Sequence, residues 1–151
     1  METTSIGELM TQKLETIKAS ATAQEAAKRM DDKTISSLVV IDDNDRAIGM
    51  VTERDLVSRI CVHDASSKHT MVQHIMSSSI VTIDANSQIE VAADIMLQNK
   101  VRHLLVVRDN DASKPVGIIS SSDFVEYLKE NLDIDDVNAR IIESMKDVRK
   151  D

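Results

Sequence analysis

The stretch "SSLVVIDDNDRAIGMVTERDL" (residues 36–56) decides the fold. Its apolar run "LVVI" is short, mostly β-branched and uninterrupted, which fits a strand buried on both faces. The "DDND" that follows is turn chemistry, and "AIGMV" reads as a second strand. Thr52-x-x-Asp55 then opens a helix, since a hydroxyl can cap the amides that a carboxylate three residues on also complements.

The same sentence returns later in the chain. "SLVVIDDND" (37–45) aligns with "HLLVVRDND" (103–111), and "GMVTERD" (49–55) with "GIISSSD" (117–123). Between them "ASKP" lengthens the second copy at a turn, where insertions cost least. Upstream, "TIKASATAQEAAKRM" (16–30) matches "TIDANSQIEVAADIM" (82–96). Each is a short extended stretch followed by a helix. The capping patterns Thr22 with Glu25 and Ser87 with Glu90 predict the helix starts. Apolar residues at 23, 26, 27 and 30, and at 89, 92, 93 and 96, give each helix one buried stripe.

The unit is therefore β-α-β-β-α, written twice, in residues 5–60 and 74–130. The expected fold class is α+β, two small sheets with helices outside, the repeats related by a pseudo-two-fold axis. Residues 61–73, "CVHDASSKHTMVQ", read as a polar linker. Residues 133–150 read as an added C-terminal helix, with Ile134, Val137, Ile141, Met145 and Val148 in one stripe. That stripe either packs on its own domain or forms a seam with a partner chain.

Composition removes several functions. The chain has 151 residues, a formal net charge of −8, one Phe, one Tyr and no Trp. Few aromatic platforms and a negative surface argue against nucleic acid, although local donors can still hold a mononucleotide. One cysteine excludes an internal disulfide framework and suits a reducing compartment. The opening residues lack a signal-peptide pattern and no apolar run is long enough for a membrane span, so the expectation is a cytoplasmic protein.

The paired motifs resemble a tandem pair of CBS domains (named for cystathionine β-synthase), a Bateman module, over roughly residues 5–130. The resemblance implies clefts between the repeats that hold an adenosyl ligand such as AMP, ADP or ATP, with no cofactor required. It also implies a free-standing, non-enzymatic sensor or regulatory subunit, a homodimer, acting on a regulated protein that the sequence does not name. The residues matching the family's adenine-framing segment are Thr16, Ile17, Thr82 and Ile83, which ordinary strand packing explains equally well.

The other candidate residues have a physical case of their own. One carboxylate can accept from both hydroxyls of a ribose, so Asp55 and Asp123 suit that role, with Thr52 and Ser120 beside them. The same residues also read as helix caps, and the two roles are compatible. Phosphate needs cations. Arg54 has Ser122 as its counterpart, whereas Arg102 and His103 stand where the first copy has Ser36 and Ser37, so the two clefts should differ. Arg102 and His103 could also be solvated strand-end residues. Gly49 and Gly117 permit close approach of chain or ligand. Cys61, His63, His69 and His74 show no tight metal-ligand spacing. No G-x-S-x-G or P-loop pattern occurs. Two other functions stay open: an assembly protein with vacant clefts, and a binder of S-adenosylmethionine.

Overall fold

The computed structural model describes residues 4–112, 114–131 and 134–148. The chain divides into two compact units, residues 1–119 and 120–151. The first unit opens with the short helix α1 (Ile6–Leu9), then β1 (Thr16–Lys18), α2 (Ala23–Lys33), β2 (Ser37–Ile41) and β3 (Ala47–Thr52). A helix follows whose first turn, α3 (Glu53–Asp55), is α-helical and whose continuation, Leu56–Cys61, is a π-helix. After a 3₁₀ turn (Val72–His74) come β4 (Thr82–Asp84), α4 (Ile89–Asn99), β5 (His103–Val107) and β6 (Gly117–Ser120). The second unit holds α5 (Ser121–Asn131) and α6 (Ile134–Val148). The repeat order expected from the sequence is thus observed, with two three-stranded sheets ordered β1-β2-β3 and β4-β5-β6.

In the first sheet β1 runs parallel to β2, with Thr16 opposite Val39, and β2 runs antiparallel to β3. The second sheet repeats the parallel pair, with Thr82 opposite Leu105. Parallel neighbours need a crossover, which α2 and α4 supply. The apolar run of β2 is explained by its two covered faces. Leu38 and Val40 join the cluster under α2 with Ile17, Ala23, Ala26, Met30 and Val51. Val39 points the other way and packs with Met50 and with Leu105 of the second sheet.

Helix α2 starts as expected. Thr22 Oγ1 accepts from the Glu25 amide at 3.1 Å, and the Glu25 carboxylate accepts from the Thr22 amide at 2.9 Å. The second copy corrects the expectation. The N-cap of α4 is Gln88, without a side-chain cap, and the Ser87–Glu90 box does not form. Ser87 is consumed by the preceding turn: its amide donates to Asp84 O at 3.0 Å, while Asp84 Oδ1 accepts from the Asn86 amide at 2.8 Å.

The polar linker is not loose at its end. Val72 is fully buried, and its amide donates to Ala21 O at 2.8 Å. Ser77 then pairs with Met50 of β3 in both directions, at 2.8 and 2.9 Å. The N-terminal residues do the same for the other copy. Thr11 pairs with Ile118 of β6 at 2.9 and 3.0 Å, and the Gly7 amide donates to Ala85 O at 2.9 Å. The copies thus exchange edge segments. This accounts for both glycines: a Cβ on Gly49 would lie 2.6 Å from Met76 Sδ, and one on Gly117 2.5 Å from Met10 Sδ.

The C-terminal stripe is partly visible. Ile141 and Met145 are exposed, as is Ile142, whereas the side chains of Ile134, Val137 and Val148 lie outside the described residues. So do Asp133, Arg149 and Lys150 of the expected helix. No helix of the described residues is long and apolar enough to cross a membrane.

Candidate functional site

The corner where β3 becomes α3 is built by a reciprocal cap. The Thr52 amide donates to Asp55 Oδ2 at 2.8 Å, the Thr52 hydroxyl donates to the same oxygen at 3.2 Å, and the Asp55 amide returns to Thr52 Oγ1 at 3.3 Å. The cap fixes the Asp55 rotamer while occupying one carboxylate oxygen. Oδ1 carries no hydrogen bond among the described residues. The second copy repeats the corner, with Ser120 N and Oγ donating to Asp123 Oδ2 at 2.8 and 3.2 Å. The helix start anticipated from the sequence is present in both.

A cavity of ≈ 490 Å³ opens within the first unit beside Asp55. Three segments wall it. The first copy contributes Ser36 and Met50 with the corner Thr52, Glu53, Arg54, Asp55 and Val57. The segment entering β4 contributes Ser77, Ser79, Ile80 and Val81, and the connection from α4 to β5 contributes Lys100, Val101, Arg102 and His103. Such a volume suits a small organic ligand, and apolar walls with a few polar groups are what a ligand site requires.

Five candidate residues from distant parts of the sequence therefore meet: Thr52, Arg54, Asp55, Arg102 and His103. His103 Nε2 lies 3.0 Å from Ser36 Oγ, a bond that joins the two copies at the cavity. Thr16, Ile17, Thr82 and Ile83 are not among its lining residues. Ile17 and Ile83 are buried at 2% and 4% exposure, and Thr16 and Thr82 are half-buried strand residues. The Thr16 carbonyl accepts from the Arg29 guanidinium. Ser120 ends β6, and Ser122 and Asp123 lie in the first turn of α5; all three belong to the second unit.

Lys100 was not anticipated. It sits in a left-handed conformation (φ 56°) as the cap of α4, and the Val101 amide closes the turn on Met96 O at 3.0 Å. Its only sequence signal is its place two residues before Arg102. Among the described residues the cysteine and histidines of the linker form no metal-holding cluster, and His69 Nδ1 pairs with Ser66 Oγ at 2.8 Å.

Comparison with known proteins agrees with this architecture. The CBS domain family model matches residues 6–61 and 72–130. A 17.7 kDa protein of Acidianus ambivalens is 34% identical over 83% of this chain and 73% of its own length. A conserved protein of Pyrococcus horikoshii superposes with a TM-score of 0.79 at 29% identity, covering 88% of this chain and 98% of that one. A CBS-domain protein from Burkholderia ambifaria gives 0.79 at 26% identity, covering 87% and 98%. With two matched repeats, two sheets of the same order and neighbours of the same build, this chain belongs to the CBS domain family as a tandem pair.

Proposed function

We propose that this CBS pair is a non-enzymatic regulatory module that binds an adenine nucleotide in the cavity beside Asp55 and transmits occupancy to a partner protein. The observation that carries the reading is the state of Asp55. Its Oδ2 is locked by Thr52, and Oδ1 is left for a ligand in a cavity that also holds cationic side chains. A vicinal diol would find a fixed, charged acceptor there, and phosphate would find Arg54 and Arg102. Because both copies and the segment between them wall the cavity, a bound ligand favours one arrangement of these elements, and a partner can read that population.

Calorimetry with AMP, ADP and ATP tests the reading. At least one should bind and raise the melting temperature as its concentration rises. Asp55→Asn, which keeps an oxygen able to cap the helix, should weaken binding on the order of tenfold while leaving the fold intact. Absence of binding by every adenosyl compound at millimolar concentration would refute it.

A second reading, assembly through the C-terminal helix, is favoured by the exposure of Ile141, Ile142 and Met145 on α6. It is compatible with the first and includes self-association as a dimer.

A further inference from the structure

Three cationic residues, Arg54, Lys100 and Arg102, line the cavity, and none makes an ion pair or a side-chain hydrogen bond among the described residues. Glu53 and Asp55 line the same space, so partners of opposite charge are near and yet are not used. The first copy shows the alternative. There Lys33 and Lys13 lie 3.3 and 3.5 Å from the Glu15 carboxylate. Burial works to raise the Glu15 pKa, but the lysines outweigh it and hold the group below the ordinary carboxylate range. Those two lysines thus find their counter-charge within the protein.

Three cationic residues of different reach, offset in part by Glu53 and Asp55, offer more charge-assisted donors than a single phosphate group uses. We propose that the cavity selects nucleoside di- and triphosphates over monophosphates and over a cationic sulfonium nucleoside such as S-adenosylmethionine. This rests on the adenine-nucleotide reading of the same cavity and adds the class of its anionic end. Asp55 at the β3–α3 corner holds the ribose end. Lys100 and Arg102, on the connection from α4 to β5, take the outer phosphates. Arg54 sits next to Asp55 in the chain and takes the phosphate nearest the sugar. Each contact is charge-assisted, and a guanidinium can offer two parallel donors to one phosphate. The sulfonium nucleoside meets the same cations with a positive charge of its own and is disfavoured.

The test is calorimetry on the full chain with AMP, ADP, ATP, S-adenosylmethionine and inorganic triphosphate, without divalent cations. ATP should bind on the order of tenfold or more tightly than AMP, and S-adenosylmethionine most weakly. Lys100→Asn tolerates the left-handed backbone, and Arg102→Gln keeps a polar side chain. Both should lower ATP affinity and narrow the ATP-to-AMP ratio, with melting temperature reporting that each variant folds. AMP binding as tightly as ATP, or a ratio unchanged in both variants, overturns the polyphosphate selectivity and leaves the nucleotide reading standing. Binding of triphosphate alone supports the cation site but removes the adenosine reading. No binding by any probe overturns both.

Discussion

At the scale of the residue, the chain places unusual side chains where a backbone turn requires a left-handed conformation. Thr34 caps α2 at φ 54°, and Lys100 caps α4 at φ 56°. Left-handed geometry crowds a Cβ, most severely a branched one, and glycine is the residue that relieves it. At Lys100 the irregularity has a use, since the turn brings this residue to the wall of the cavity. At exposed Thr34 the side chain makes no hydrogen bond among the described residues and does not line the cavity beside Asp55. Thr34→Gly should therefore stabilise the protein by about 1 kcal/mol, read as a higher urea midpoint with an unchanged slope. A lower midpoint would show that the threonine contributes more than its strain costs.

At the scale of the element, the exchange of edge segments makes a distinctive prediction. Residues 5–11 open the first copy but are bonded to the second, through Ala85, Ser87 and Ile118. Deleting residues 1–11 should raise amide exchange first in β6, where the Ile118 amide loses its acceptor Thr11 O, leaving β1–β3 protected; faster exchange starting in β1–β3 would refute the exchange. The glycines belong to the same argument. Gly49→Ala and Gly117→Ala should each destabilise by roughly 1–3 kcal/mol, since the added Cβ meets backbone oxygen as well as a methionine.

Much of this was legible in the sequence because the repeat states each element twice, and the buried strands announce themselves by the runs "LVVI" and "LLVV". The edge segments were not legible. They are held by backbone bonds, which leave no mark on the residues that make them; Gly49 and Gly117 marked a close approach without saying of what. The Ser87–Glu90 misreading has the same root: the hydroxyl and carboxylate fit a cap, but the Asp84 turn had already claimed Ser87. The π-helical continuation was equally hidden, although Ser58 Oγ donating to Arg54 O at 2.8 Å gives one local competitor for the α-helical bond. In the site, Asp55 and Arg54 were found because they belong to the repeated corner. Lys100 joins them only through tertiary convergence.

At the scale of the whole molecule, two processes compete with opposite dependence on salt. Nucleotide capture by Arg54, Lys100 and Arg102 is an attraction between charges near the surface, so added salt weakens it. Self-association brings together chains of net charge −8, so added salt should strengthen it by screening their repulsion. Apolar residues for such a contact are present on α6, where Ile141 and Met145 stand one turn apart and 53% and 56% exposed. If that helix carries assembly, deleting residues 133–151 should lower the molar mass seen by light scattering and abolish its rise with salt. ATP affinity should persist, because every residue lining the cavity lies before position 104. An unchanged molar mass would remove α6 from assembly, and loss of ATP binding in the truncated chain would show that the C-terminal residues act on the cavity.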